Sequence, residues 1–275
     1  MNMNSVSSKR SKAFFRQLIS SLVVILFSVS VYAYDTKISS KNGAKVASQL
    51  VQIKARADDD FLLFADYYPG GKRSGGAIVL HDCDNDRRSY SAVATSLAQQ
   101  GFHTLLADLR GYGDSVSQAY SEEAAKLKAT DIVSYQSEME FITSNWPDDL
   151  LAMYQFLSNK IDKNKGIAIV ASGCSAPYTV ALAEKINLNS MVMITPKMSY
   201  SDKERYKNLI DIPSYFITSA HHQDSYTVAQ ELFNWNGATR SKIQIFKGTG
   251  YGSRLISRKK YLVNDIALWI KSNSR

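Results

Sequence analysis

The side chains able to do covalent chemistry crowd into one short stretch. Residues 171–177 read Ala-Ser-Gly-Cys-Ser-Ala-Pro, so Ser172, Cys174 and Ser175 set three oxygen or sulfur nucleophiles almost side by side. Ile167-Ala-Ile-Val170 precedes them, and a helix-forming run entered through Pro177 follows. Residues 166–183 therefore read as a buried strand, a sharp turn of small residues and a helix, which projects one side chain from the crest of the turn. A serine or cysteine held there attacks an acyl carbon when a neighbouring base takes its proton. The base would have to be a histidine, and the chain has His81, His103, His221 and His222. His221 and His222 also suggest a metal pair, but adjacent side chains tend to point apart and no third ligand accompanies them, so no metal is expected. The triplet Asp58-Asp59-Asp60 reads as the solvated tip of a hairpin.

These residues need a scaffold, and the hydrophobic pattern supplies one. Residues 51–55 alternate like a half-buried strand, and residues 61–68 form a second. After the break at Pro69-Gly70-Gly71, residues 76–81 (Gly-Ala-Ile-Val-Leu-His) are a continuous apolar run of the kind buried on both faces. A helix from about Ser89 places Tyr90, Val93, Ala94, Leu97 and Ala98 on one face and ends at Gly101. Residues 103–109 are the next strand, so strand, helix and strand form a right-handed crossover with a parallel pair. Residues 116–144 mix helix and loop and could form a small lid. Pro147 opens a helix striped by Leu150, Leu151, Tyr154 and Leu157. Strands follow at 191–194, 214–218 and 243–246. The last two helices carry Val228, Leu232 and Trp235, then Leu262, Ile266, Trp269 and Ile270. The sum is one α/β domain over residues 51–273, with mostly parallel strands, about eight in number, flanked by helices.

The N-terminus is a separate matter. Lys9, Arg10, Lys12 and Arg16 precede an apolar run over residues 18–31, and Val31-Tyr32-Ala33 ends in short side chains. This reads as a signal peptide, residues 1–33, followed by a lead-in over 34–50. The apolar run is shorter than the roughly 18–20 residues of a spanning helix. The domain is expected outside the cytoplasm, periplasmic or secreted, with membrane contact only if the segment stays uncleaved. Removing the four basic residues lowers the formal net charge from +8 to +4, an ordinary balance that gives no case for nucleic acid. Arg254, Arg258, Lys259 and Lys260 read as a solvated helix start. Gly111-x-Gly113 lacks the third glycine of a dinucleotide loop, and no cofactor is implied.

The order of parts resembles the α/β-hydrolase superfamily over about residues 51–272, in its serine-hydrolase and dienelactone-hydrolase-like branch. Leu80-His81-Asp82-Cys83-Asp84 is similar to the family's His-Gly-x oxyanion loop. Asp108-Leu-Arg-Gly-Tyr-Gly-Asp-Ser115 is similar to its Asp-x-Arg-Gly-x-Gly-x-Ser segment and is the most specific match. The elbow at 166–183 is the third match. Asp224-Ser225-Tyr226 and Gly248-Thr-Gly-Tyr-Gly252 look like the loops that carry the acid and the histidine.

The departures bear on function. Aligned without gaps on a strand at Ile167–Val170, the elbow is Ala171-Ser172-Gly173-Cys174-Ser175, which puts Gly173 at the nucleophile position. Tyr251 stands where the family carries its histidine, and a phenol is a poor base at neutral pH. Only Asp224, at the acid position, matches the triad. A slipped register would make Ser175 the nucleophile and lengthen the strand to Ser172. Another would choose Cys174, and either would need His221 or His222 as base. His81 and His103 are expected to be structural. The resemblance also implies that the two oxyanion-hole backbone N–H groups belong to Cys83 and Cys174. Their backbones would then come close enough for a disulfide across the former hole, against the alternative of two unrelated buried thiols. The expectation is an exported hydrolase-like protein without ordinary serine catalysis, binding a small ester-like or hydrophobic ligand or a partner. The alternative is an ester or amide hydrolase with a displaced triad.

Overall fold

The computed structural model describes residues 46–55 and 61–274. Asp58-Asp59-Asp60 and the signal-like segment lie outside the described residues. Short apolar runs bounded by Gly, Pro and Asp become the strands β1 (Gln49–Lys54), β2 (Leu62–Tyr68), β3 (Gly76–Leu80), β4 (His103–Ala107), β5 (Ile167–Ser172), β6 (Ser190–Ile194), β7 (Ser214–Ser219) and β8 (Lys242–Phe246). They form a single sheet in the order β1-β2-β4-β3-β5-β6-β7-β8. β2 pairs antiparallel with β1 and β4, and all the other neighbours are parallel.

The helices are α1 (Ser91–Gln99), α2 (Glu122–Lys128), α3 (Ile132–Thr143), α4 (Trp146–Ser158), α5 (Ala176–Ala183), α6 (Tyr200–Tyr206), α7 (Gln223–Trp235), α8 (Gly252–Arg258) and α9 (Tyr261–Asn273). Successive strand residues face opposite sides of the sheet. Ile78, Ile169, Met191 and Phe216 accordingly share one core with Leu150 and Met153 of α4, Val180 of α5 and Leu232 of α7. Val79, Val170, Val192 and Ile217 face the other core, with Val93 and Leu97 of α1 and Ile266 of α9. The helix after β3 thus covers one face and the helix after β5 the other. Their loops part at the carboxyl edge of the sheet, which opens a crevice there.

Boundaries differ from the sequence reading where polar groups intervene. The strand expected over 103–109 stops at Ala107, because Leu109 N–H donates to His81 Nε2 (3.0 Å) instead of continuing the ladder. The helix expected near Ser89 begins with a 3-10 turn, Arg87–Tyr90, capped by the Asp86 carboxylate. β5 runs two residues past Val170 to Ser172.

Residues 116–144, unreadable as sequence, hold α2 and α3. Ser121 caps α2, and Asp131 with Ser134 forms a capping box on α3. Tyr120 packs on both Phe61 and Phe141, at 5.3 Å between centroids in each case. Beneath it lies the buried Arg110 guanidinium, 4.2 Å from the Phe61 ring and 4.7 Å from the Tyr120 ring. It is paired in a fork with the buried Asp149 carboxylate at 3.0 and 2.7 Å. Among the described residues, no helix is long and apolar enough to cross a membrane.

Candidate functional site

β3 and β5 are neighbours, with Val79 opposite Val170, so the loops leaving them meet at the carboxyl edge. At the end of β5 the chain turns at Gly173, whose φ is +54°. L-residues adopt that conformation at a cost of about 1–2 kcal/mol, and glycine adopts it freely. The crest of the elbow is therefore Gly173, although the strand extends to Ser172 as the slipped register had it. A Cβ on Gly173 would fall well inside the contact distance of the Tyr251 hydroxyl and 3.0 Å from Asp82 Cβ. The space a nucleophile's side chain would need is filled by the phenol.

Tyr251 sits in the loop between β8 and α8, which the ends of β6 and β7 hold. Ser219 Oγ donates to the Gly250 carbonyl at 2.8 Å, and Gly252 N–H donates to Thr195 Oγ1 at 2.9 Å. Thr195 itself has φ +43°, a strained setting for a β-branched residue at the tip of β6. Two residues on, Lys197 N–H donates to the Gly173 carbonyl at 3.0 Å and ties the crest to the β6 loop. The Tyr251 ring stacks on His222 with centroids 4.5 Å apart. Burial, with the charges of Asp82 and Asp84, raises the Tyr251 pKa well above the ordinary 10, so the phenol stays protonated at neutral pH.

Beneath the crest lies a buried polar network. The Asp82 carboxylate accepts hydrogen bonds from the Tyr90 hydroxyl (2.5 Å), Asp84 N–H (3.0 Å), the Asn85 side-chain amide (2.8 Å) and Ser253 N–H (3.3 Å). Tyr90 also lies 2.6 Å from Ser172 Oγ. Since its single proton goes to the carboxylate, the tyrosine oxygen accepts from the serine. Desolvation and the neighbouring Asp82 push the Tyr90 pKa far up, which keeps it a donor. One buried acid thus joins the β3 loop, the 3-10 turn before α1 and α8, and through Tyr90 it reaches the elbow.

Over the crest lies the disulfide. Cys83 and Cys174 are joined, with Cα atoms 5.9 Å apart. The pairing implied by the family resemblance is present, and the alternative of two unrelated thiols is not.

The other candidates are placed as follows. Ser175 is fully buried, and its hydroxyl accepts from Ser172 N–H and donates to the Ser172 carbonyl, both at 2.9 Å. That closed loop engages the hydroxyl with its own turn instead of with a histidine. Asp224 lies exposed in the first turn of α7. His222 Nδ1 pairs with Ser225 Oγ at 2.8 Å, and His221 N–H donates to the Gly248 carbonyl. His81 is buried, with Nδ1 donating to the Asp82 carbonyl (2.7 Å) while Nε2 accepts from Leu109. His103 bridges Tyr67, Gly70 N–H and the Gly71 carbonyl. Both are bound up in the scaffold.

Two hollows flank the elbow. One, of about 400 Å³, is lined by Cys83, Cys174, Trp146, Tyr178, Met198 and Thr143, the last residue of α3. The other, of about 480 Å³, is lined by Asp84, His222, Asp224, Tyr251 and Arg254. Lys197 lines both. Sequence reasoning missed Tyr90, Thr195 and Lys197. Tyr90 reads as one more apolar stripe residue, and the other two sit in an unmarked loop around Pro196.

No family model matches the chain, and no curated protein matches its sequence. Solved structures do resemble it. A predicted CIB-like hydrolase from Thermoplasma acidophilum superposes with a TM-score of 0.61 at 12% identity, over 82% of this chain and 99% of that one. A Pyrococcus furiosus esterase gives 0.57 at 15% identity, over 87% and 99%. A dienelactone hydrolase from Anabaena variabilis gives 0.56 at 13% identity, over 83% and 98%. The chain has the α/β-hydrolase fold. At the crest of its elbow stands a glycine.

Proposed function

We propose that this protein is an exported, non-hydrolytic member of its fold class that binds a small ester-like or hydrophobic ligand in the crevice beside the elbow. The observation that carries the reading is the fit of the Tyr251 hydroxyl into the space a Cβ on Gly173 would need. The two departures from a working site are thus one packing unit: glycine makes the room and tyrosine takes it. The Cys83–Cys174 bond across the oxyanion-hole positions supports the same reading. Oxyanion stabilisation needs two backbone donors aimed at a vacant point. Binding is supported by the hollow lined by Trp146, Tyr178 and Met198, an apolar wall with a cation at its rim. Fold alone assigns no activity, so the case rests on these residues.

A fluorophosphonate probe and 4-nitrophenyl butyrate test the proposal together. The expected outcome is no covalent labelling and no nitrophenolate release, with saturable binding of the ester by calorimetry. Stoichiometric labelling at Ser175 or elsewhere would overturn the non-hydrolytic part, and absence of binding across alkyl esters would overturn the ligand part. Export is tested by cell fractionation, with a mature N-terminus after residue 33 as the expected result.

A further inference from the structure

The bridged cysteines also form part of a cavity wall. Cys83 and Cys174 are half-buried, and both line the apolar hollow together with Lys197. A disulfide reached by solvent beside a cation is open to attack by thiolates, whereas one sealed in a core is not.

The two sulfurs are not equivalent. Cys174 lies in the 3-10 turn Gly173–Ser175 that runs directly into α5, at the positive end of that helical run. Lys197, anchored through its backbone to the Gly173 carbonyl, is a basic residue lining the same hollow. Cys83 instead stands in the chain between two acidic residues, Asp82 and Asp84. Negative charge is therefore favoured on Cys174 Sγ and disfavoured on Cys83 Sγ, and the lower-pKa thiol leaves faster.

We propose that Cys83–Cys174 is a thiol-exchange centre whose substrate is a low-molecular-weight thiol received in the apolar hollow. The thiolate attacks Cys83 Sγ and forms a new sulfur–sulfur bond there. The Cys83–Cys174 bond breaks, and its electron pair goes to Cys174 Sγ, which leaves as the thiolate. A second thiolate then attacks the small molecule's sulfur in the mixed disulfide, and Cys83 departs as a thiolate that takes a proton from water. Two thiols are oxidised to one disulfide, and two electrons pass to the protein. Reduction removes the covalent tie between the elbow and the β3 loop, while the Asp82–Tyr90–Ser172 hydrogen bonds and the β3–β5 ladder remain.

The folded full-length protein is pulsed with glutathione, quenched with iodoacetamide and mapped by mass, with circular dichroism recorded throughout. The expected result is glutathione on Cys83 and the alkyl group on Cys174, with secondary structure unchanged. Dithiothreitol should likewise reduce the bond completely without denaturant. Lys197→Ala, at an exposed position, should slow the exchange several-fold at neutral pH and leave circular dichroism unchanged. A bond that opens only in denaturant would overturn the proposal. So would an adduct on Cys174, or an exchange rate indifferent to Lys197→Ala.

Discussion

If glycine at the crest and tyrosine opposite it are one packing unit, the cost of adding a Cβ at position 173 must depend on the Tyr251 hydroxyl. In the parent protein, Gly173→Ala meets two penalties. The left-handed backbone, φ +54°, costs about 1–2 kcal/mol for an L-residue. The new methyl also collides with the Tyr251 hydroxyl and touches Asp82 Cβ at 3.0 Å, and overpacking of this kind costs about 1–3 kcal/mol. The substitution should therefore destabilise the fold by about 2–5 kcal/mol. In a Tyr251→Phe background the colliding oxygen is gone, and the nearest ring atom is Cζ at 3.1 Å. Most of the packing penalty disappears and the backbone penalty remains. The double-mutant cycle should yield a favourable coupling of about 1–2 kcal/mol, read from urea unfolding with unchanged m-values. Equal cost of Gly173→Ala in both backgrounds would refute the reasoning, because it would mean that the phenol does not occupy the crest. Gly173→Ser carries the same Cβ, so it should likewise destabilise the protein and release no nitrophenolate from 4-nitrophenyl butyrate.

Two further outcomes follow from the buried polar groups. Asp149→Ala removes the carboxylate that forks onto the buried Arg110 guanidinium, and should cost about 3–5 kcal/mol in urea unfolding; a cost below about 1 kcal/mol would show that this ion pair contributes little to the fold. Burial lowers the His81 pKa below its ordinary 6.5. The unfolded chain therefore takes up this proton at a higher pH than the folded one. The stability His81 contributes is complete above 6.5 and is lost as pH falls below it, by up to about 1.4 kcal/mol per pH unit. His81→Gln should flatten the fall in stability between about pH 5 and 6.5, and an unchanged slope would exclude His81 as its source.

The legible features were those carried by neighbours in the chain. Ile78 and Val79 alternate faces because a strand has period two, and the apolar run at 166–183 forms strand, turn and helix. Gly173 could be read as the crest because a gapless alignment of the elbow on the apolar run puts it there, and that backbone setting suits glycine. The gaps in the reading have equally local causes. α2 and α3 gave no clear stripe because Leu127, Ile132, Val133 and Phe141 are largely exposed. The end of β5 was misplaced because the small residues Ala171 and Ser172 look like turn and behave as strand.

The sequence by itself determined the sheet, its helices and the glycine at the elbow. The family resemblance drawn from its motifs added the cysteine pair. The tertiary structure alone decided what packs around the crest. Tyr251 meets Gly173, Tyr90 joins Asp82 to Ser172, and Lys197 borders both hollows. Each of these contacts joins loops from strands far apart in sequence, and no local period encodes which side chain fills which void.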